Sequence, residues 1–331
     1  EADLMEVIEP APDRVEPGCP LFGTCGGCQY QHLAYDGQLE WKRRQVADVL
    51  SRIGGLEVPV APPVASPRAY GYRSKLTPHY QKPREKHFPI GFLRQGRRQQ
   101  LVDVPHCPIA TGGINEALPA ERQRLRALAQ ARRIRKGGTL LLRDTLDGVV
   151  SDNNAVVSER VGDLIFQFTA GEFFQNNPYI LPKLVEYALS QADVPEVRYL
   201  VDAYCGVGVF ALAAASRFEA CAGVEVSAQA IRWANVNAGL NRIGNVRFTV
   251  GPAESIFADV SFPGAESAMI VDPPRAGCSE DFLRQLVAFA PVRVVYVSCD
   301  PATQARDVKL LAAQGYALER VQPFDLFPQT R

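Results

Sequence analysis

No window of this 331-residue chain approaches 18 uninterrupted apolar residues, so nothing in it reads as a membrane-spanning helix. The opening EADLMEVIEPAPDRVEP is acidic and proline-punctuated, where a secretory signal would carry a basic start and an apolar run. It also lacks an initiator Met, and the expectation is a start processed or cut from a longer chain. Missing too is the compact cysteine framework of a small disulfide-stapled domain. The eight cysteines (19, 25, 28, 107, 205, 221, 278 and 299) are spread over most of the chain, which fits a reducing cytoplasm. Net charge is absent as well, at zero. What remains is ordinary for a globular protein: 47% apolar and 22% charged, long enough for two or three domains with cores of their own.

The zero total conceals an asymmetry. Residues 66–136 hold sixteen Lys/Arg against four Asp/Glu, a local excess of twelve positive charges. Arg73, Lys75, Lys82, Arg84, Arg94, Arg97 and Arg98 alternate there with Tyr70, Tyr72, Tyr80 and Phe92. Basic groups interleaved with aromatics suit phosphates and unstacked bases; a solvated basic surface is the plainer alternative.

Three cysteines crowd GCPLFGTCGGCQYQ, at Cys19, Cys25 and Cys28, and Gly26 and Gly27 let the backbone wrap closely between them. Cys107, followed by Pro108, is a candidate fourth. Three thiolates within ten residues plus a distant one suit a [4Fe–4S] cluster. Zinc prefers two Cys-x2-Cys-like pairs, and only one is present. Zinc and unligated thiols stay as alternatives. An amphipathic helix follows over 35–53, stopped by Gly54-Gly55. Short strands and turns occupy 59–168, with a basic helix near 119–135. GEFFQNNP (171–178) precedes a helix over 180–192, and its polar run reads equally as an N-cap or as a loop facing a ligand.

From Arg198 the pattern is doubly wound α/β. RYLVDAY, ACAGVEV, NVRFTVG, AMIVDPP and VRVVYVSC read as five buried parallel strands, with helices over 228–240 and 281–290 and one closed by Gly315. YALERVQPFDLF reads as a returning strand. Ligands of such sheets sit beyond the carboxyl ends of the strands, where Asp272 and Cys299 would share a crevice. On position alone Cys299 is either a small buried hydrophobe or a nucleophile.

Gly206-Val207-Gly208-Val209-Phe210-Ala211 fits a dinucleotide fingerprint, and Glu225 stands where an acid binds a ribose diol. NAD and S-adenosylmethionine both use such a loop. Asp-Pro-Pro after the fourth strand is a mark of methyltransferases acting on planar substrates. A hydride-transfer enzyme usually needs a His or a Tyr–Lys pair, and none of the four histidines (32, 79, 87, 106) lies in the α/β part. S-adenosylmethionine is the expected cofactor; an NAD-dependent iron–sulfur oxidoreductase is the alternative from another class, and a non-catalytic RNA-binding protein a third.

The four cysteines taken with FFQNNP, DAYCGVG, DPPRAG and YVSCDPAT resemble the RumA/TrmA family of RNA 5-methyluridine methyltransferases over nearly the whole chain. The resemblance implies a class I methyltransferase fold. In it Gln175, Tyr204, Glu225 and Asp272 bind S-adenosylmethionine, Cys299 is the nucleophile, and Cys19, Cys25, Cys28 and Cys107 hold a [4Fe–4S] cluster. It points to the ribosomal branch, so 23S rRNA is the expected substrate and transfer RNA (uridine 54) the alternative, with a monomer as the expected state. The implied domains are a linker (1–17) left from a missing RNA-binding barrel, an iron–sulfur segment (18–57 with the Cys107 region), a basic β-rich RNA-binding domain (58–168) and the methyltransferase domain (169–331). The chain departs from the family pattern at Val209, where relatives often have Asn, and at Asp300, where Asn is commoner. The family's general-base Glu follows a motif like FDLFPQT, so the expectation is a C-terminus trimmed at Arg331. The implied mechanism adds the Cys299 thiolate to carbon 6 of uracil, which makes carbon 5 nucleophilic. Methyl transfer, loss of the carbon 5 proton and elimination follow, on a base taken out of its stack. Asp272 would either bind the pyrimidine edge or orient the cofactor. Cys278 is a rival nucleophile, and Cys205 and Cys221 read as packing residues.

Overall fold

The computed structural model describes residues 6–83 and 88–330. Arg84, the first five residues and Arg331 lie outside the described residues, so the expected linker over 1–17 is described only from residue 6. No strand forms there; one antiparallel bridge joins Arg14 to Leu33.

Helix α1 (Tyr35–Val49) runs into a π-helical turn over Leu50–Gly54 and stops at Gly55, whose φ of +66° suits glycine. There follow strands β1 (Lys75–Leu76), β2 (His79–Tyr80), β3 (Ile90–Arg94) and β4 (Arg97–Asp103), helix α2 (Gly112–Gln130), then β5 (Gly138–Thr139), β6 (Leu142–Thr145) and β7 (Gly148–Val150). They make two antiparallel sheets, ordered β4-β3-β2-β5 and β1-β6-β7. Helix α2 begins seven residues before the expected 119, so Pro119 lies inside it. An internal proline forfeits one helical hydrogen bond. Ile114, Leu118 and Leu125, buried against Leu76, Ile90 and Leu142, carry the helix through it. A hairpin of β8 (Val156–Val161) and β9 (Leu164–Thr169) comes next.

The remainder alternates helix and strand: α3 (Leu181–Ala192), β10 (Tyr199–Ala203), α4 (Val209–Ala214), β11 (Ala220–Glu225), α5 (Ala228–Leu240), β12 (Val246–Val250), α6 (Ile256–Asp259), β13 (Ser267–Val271), α7 (Glu280–Phe289), β14 (Arg293–Tyr296) and α8 (Pro301–Ala313). The five strands form one parallel sheet ordered β12-β11-β10-β13-β14. This is the class I methyltransferase fold expected from the sequence. All five residues of β13 are buried, as its unbroken apolar run requires. Helix α3 buries Leu181, Leu184, Val185, Ala188, Leu189 and Ala192, one stripe at helical spacing.

Two carboxamides, one on α5 and one capping its C-terminus, fasten the hairpin to this domain. Fully buried Asn237 accepts from the Gln167 amide at 2.7 Å and donates to the carbonyls of Gln167 and Val207, both at 3.2 Å. One turn on, Asn241 pairs both ways with Ile165. The side chains thus serve β9 as a neighbouring strand would.

The returning strand expected from YALERVQPFDLF does not form. Val321 and Phe324 make isolated parallel bridges to Val60 and Val64, and three backbone hydrogen bonds join the two segments: Ala61 to Val321, Val64 to Pro323 and Asp325 to Val64. Pro323 lacks an amide, and the opposing segment is itself broken by Pro62 and Pro63, so no ladder can run.

Candidate active site

The parallel register brings four strand ends to one edge. Ala203 pairs with Val224 on one side and with Val271 on the other, and Val271 pairs with Tyr296. The Val297 amide then donates to the Val271 carbonyl at 2.8 Å. Glu225 at the end of β11, Tyr204 and Asp272 directly after β10 and β13, and Cys299 three residues after β14 therefore leave the sheet along one side. Tyr204 has a φ of +67°, and Gly206 and Gly208 follow at +53° and +90°. Left-handed backbone at a non-glycine residue marks a turn held in shape by its surroundings.

Carboxylates dominate this edge. Glu225 accepts from the Gly206 amide at 3.3 Å and the Ser227 amide at 3.0 Å, which fixes its side chain beside the glycine loop. Asp202, fully buried one layer down, accepts from the Ala211 amide at 3.0 Å. Its other oxygen has no hydrogen-bond partner. Burial and then the charges of Asp272 and Glu225 hold Asp202 well above the usual carboxylate range. Burial likewise pushes Asp272 up to about 7. Three acids this close favour a cationic ligand and repel a pyrophosphate. Asp202 was not among the candidates read from sequence.

Cys299 is exposed, whereas Cys205, Cys221 and Cys278 are buried. Burial pushes the Cys221 thiol up to about 12 and that of Cys278 up to about 11, which disfavours the thiolate a nucleophile needs. A Cβ at Gly223 would stand 3.0 Å from Cys205, which is therefore a packing residue as expected. Asp300 caps α8 by accepting from the amides of Ala302 and Thr303 at 3.0 and 3.4 Å. An Asn would offer the same oxygen, so this departure from the family pattern leaves the turn after Cys299 intact.

Gln175 is half-buried in the loop before α3, and the central sheets clamp that loop. Ser74 donates its amide to the Asn176 carbonyl at 2.8 Å, Lys75 donates to the carbonyls of Gly171 and Glu172, and Arg143 donates to that of Glu172. Asn177 bridges Ser66 and the Leu326 carbonyl, each at 3.0 Å. The polar run is thus a fastened loop, not the N-cap of α3. Phe173 within it is 76% exposed, an apolar ring not among the candidates read from sequence.

Cys19, Cys25, Cys28 and Cys107 line one cavity of about 170 Å³ with Arg73, His106 and Phe92. Burial, then the other cysteines' charges, pushes Cys28 up to about 12; burial chiefly pushes Cys107 up to about 11. No group of three or more His, Cys, Asp or Glu among the described residues is arranged to hold a single metal ion. A larger cavity, about 480 Å³, is lined by residues 161–164, 182–189, 212–217 and 242–245. Its walls include the segments entering β11 and β12, so it lies at the opposite edge from Cys299.

The basic residues divide. Tyr72 is fully buried with its hydroxyl on the Pro328 carbonyl, Lys75 serves the loop just described, and Arg122 donates inward to Ile90, Val104 and Asp103. Lys82, Arg94, Arg97, Arg132, Arg133, Arg135 and Lys136 are exposed.

A family model described as tRNA (uracil-5-)-methyltransferase matches residues 122–331. A tRNA (uracil(54)-C(5))-methyltransferase of Schizosaccharomyces pombe is 42% identical over 99% of this chain and 67% of its own length. The Saccharomyces cerevisiae protein of the same description is 33% identical over 100% of this chain and 63% of its own. This chain thus spans about two thirds of these fungal relatives. The crystal structure of Pyrococcus abyssi tRNA (uracil-54, C5)-methyltransferase in complex with S-adenosyl-L-homocysteine superimposes with a TM-score of 0.74 at 26% identity, covering 98% of this chain and 86% of that one.

The Asp272 environment makes a signed prediction. Its folded-state pKa of about 7 lies above the ordinary 3.8, so its contribution to stability is whole below about pH 4 and is lost as pH rises to about 7. Asp272→Asn removes the ionisation. Thermal unfolding followed from pH 4 to pH 8 should show the variant gaining on the parent as pH rises, with the difference level above about pH 7.

Proposed function

Because the chain belongs to the tRNA (uracil-5-)-methyltransferase family, we propose that it transfers a methyl group from S-adenosylmethionine to carbon 5 of a uridine in transfer RNA, through a covalent bond between Cys299 and carbon 6. The observation that carries this is the exposed thiol of Cys299, which follows the strand next to that of Asp272 at the carboxylate-lined edge of the sheet. The fungal and archaeal relatives are named for uridine 54 of tRNA, which supports tRNA over the expected 23S rRNA. The four cysteines are the feature that favours the ribosomal reading, and rRNA stays as the second substrate to test.

S-adenosylmethionine supplies an electrophilic methyl group on a sulfonium, and the acids at 202, 225 and 272 suit that positive charge. The glycine loop and Glu225 would hold its nucleoside end, with Gln175 and Tyr204 beside the reacting end. Cys299 adds as thiolate to carbon 6, and the electron pair of the 5,6 double bond moves to carbon 5 and oxygen 4. Carbon 5 takes the methyl group, then loses its proton to a base. The restored enolate expels Cys299 and re-forms the double bond. Asp272, near neutral pH in its own titration, can bind the pyrimidine edge in either protonation state. Exposed Phe173 offers a face for an unstacked base, and the exposed basic side chains offer phosphate contacts.

The cysteine cavity supports a [4Fe–4S] cluster. A cubane takes one protein thiolate at each iron, so its ligands surround a space; these four cysteines line one cavity and are not gathered at a single point as one ion would need. Bound iron would relieve the mutual repulsion of buried thiolates.

With RNA containing 5-fluorouridine, carbon 5 carries no proton to lose, so the enzyme should stop as a covalent adduct visible on a denaturing gel. Cys299→Ala should form none, and Cys278→Ala should still form it. Methylation retained by Cys299→Ala would sink the mechanism. Protein prepared without oxygen should be brown and hold about four irons per chain; stoichiometric zinc without iron would refute the cluster.

A further inference from the structure

Asp272 and Cys299 come from adjacent strands, yet beyond the sheet each sits in a loop, and the strand register alone does not hold two loops together. A second tie exists. Asp307, on α8 two turns beyond Cys299, is fully buried. One of its carboxylate oxygens accepts from the Cys278 amide at 2.7 Å and from the Tyr296 hydroxyl at 2.6 Å. The other accepts from Arg306 at 2.8 Å. Arg306 also donates to the Ala276 carbonyl at 3.0 Å, and Thr303 donates to that of Arg275 at 3.1 Å. Helix α8 therefore grips, residue by residue, the loop 275–278 that leaves Asp272-Pro273-Pro274. The approach is close: Gly277 has a φ of +78°, and a Cβ there would stand 2.6 Å from the Asp307 carboxylate and 2.5 Å from Arg306.

We propose that Asp307 is a positioning residue for methyl transfer, fixing the spacing of Asp272 and Cys299 by joining the loop after β13 to the helix after β14. This rests on the methyltransferase reading of the site and goes beyond it. Asp307 touches neither substrate nor cofactor; it acts through Cys278, Tyr296 and Arg306. A carboxylate is suited to the task because it accepts only, and the groups aimed at it are all donors. Its charge also makes those bonds strong. A small displacement of a reacting group is expensive in rate even when binding survives.

The test compares the parent chain, Asp307→Asn and Tyr296→Phe. An Asn turns a donor toward the Cys278 amide, whereas Tyr296→Phe removes a single bond and leaves the carboxylate in place. Each variant is assayed for S-adenosylmethionine affinity, for KM toward tRNA, for the rate of adduct formation on 5-fluorouridine RNA, and for kcat per cofactor-binding site. The expected result for Asp307→Asn is unchanged cofactor affinity and KM within about threefold, with kcat and adduct rate both lower by about 100-fold. Tyr296→Phe should lose a smaller factor in the same two rates. If Asp307→Asn folds and keeps its kcat within twofold per binding site, the proposal is overturned. If it does not fold, a fully active Tyr296→Phe overturns it instead. A parent chain that methylates no RNA would count against the proposed function, and so is distinguishable from both.

Discussion

One short run of parallel pairing carries the site: Ala203 against Val271, Val271 against Tyr296, and the Val297 amide on the Val271 carbonyl. A parallel sheet sends successive strands out at the same edge, so whatever chemistry follows each strand is collected there without further design. Slipping β14 by one residue would turn its side chains to the other face and carry Cys299 away from Asp272. The burial of every residue in β13 makes that slip costly.

The same economy explains the charge of the edge. The charges of Asp272 and Glu225 add to burial in raising the cost of ionising Asp202, and that cost falls when a cation arrives. Around this edge the other parts of the chain lock by long-range hydrogen bonds. Gln329, buried with a φ of +69°, exchanges two bonds with Gln38 and accepts from the amides of Gln29 and Tyr30, just beyond Cys28. Leu326 is held by Asn177, beside Gln175. The cysteine loop, the segment 325–329 and the Gln175 loop therefore form one connected framework.

Much of this was legible because periodicity and burial agree. The five parallel strands are short apolar runs that end at turn residues, and α5 begins at the Ser227 cap and spans the expected 228–240. Cys299 and Asp272 stood out by what flanks them. Other features have no local signal. Lys75 looked like a phosphate ligand, yet its ammonium is committed to two carbonyls nearly a hundred residues away. Tyr72 looked like a stacking ring and is buried. Asp307 resembles any polar residue on a helix, because the loop it holds, at Cys278, lies 29 residues earlier. The returning strand failed where prolines stand on both sides of the would-be ladder, a conflict visible only once the partner segment is known.

The most direct test of carbon 5 methylation is to incubate unmodified tRNA and 23S rRNA with the chain and methyl-labelled S-adenosylmethionine, then map the label by mass spectrometry of nuclease fragments. The account predicts 5-methyluridine at a single position of tRNA. Label on a ribose or on another base, or no 5-methyluridine in either RNA, would contradict it.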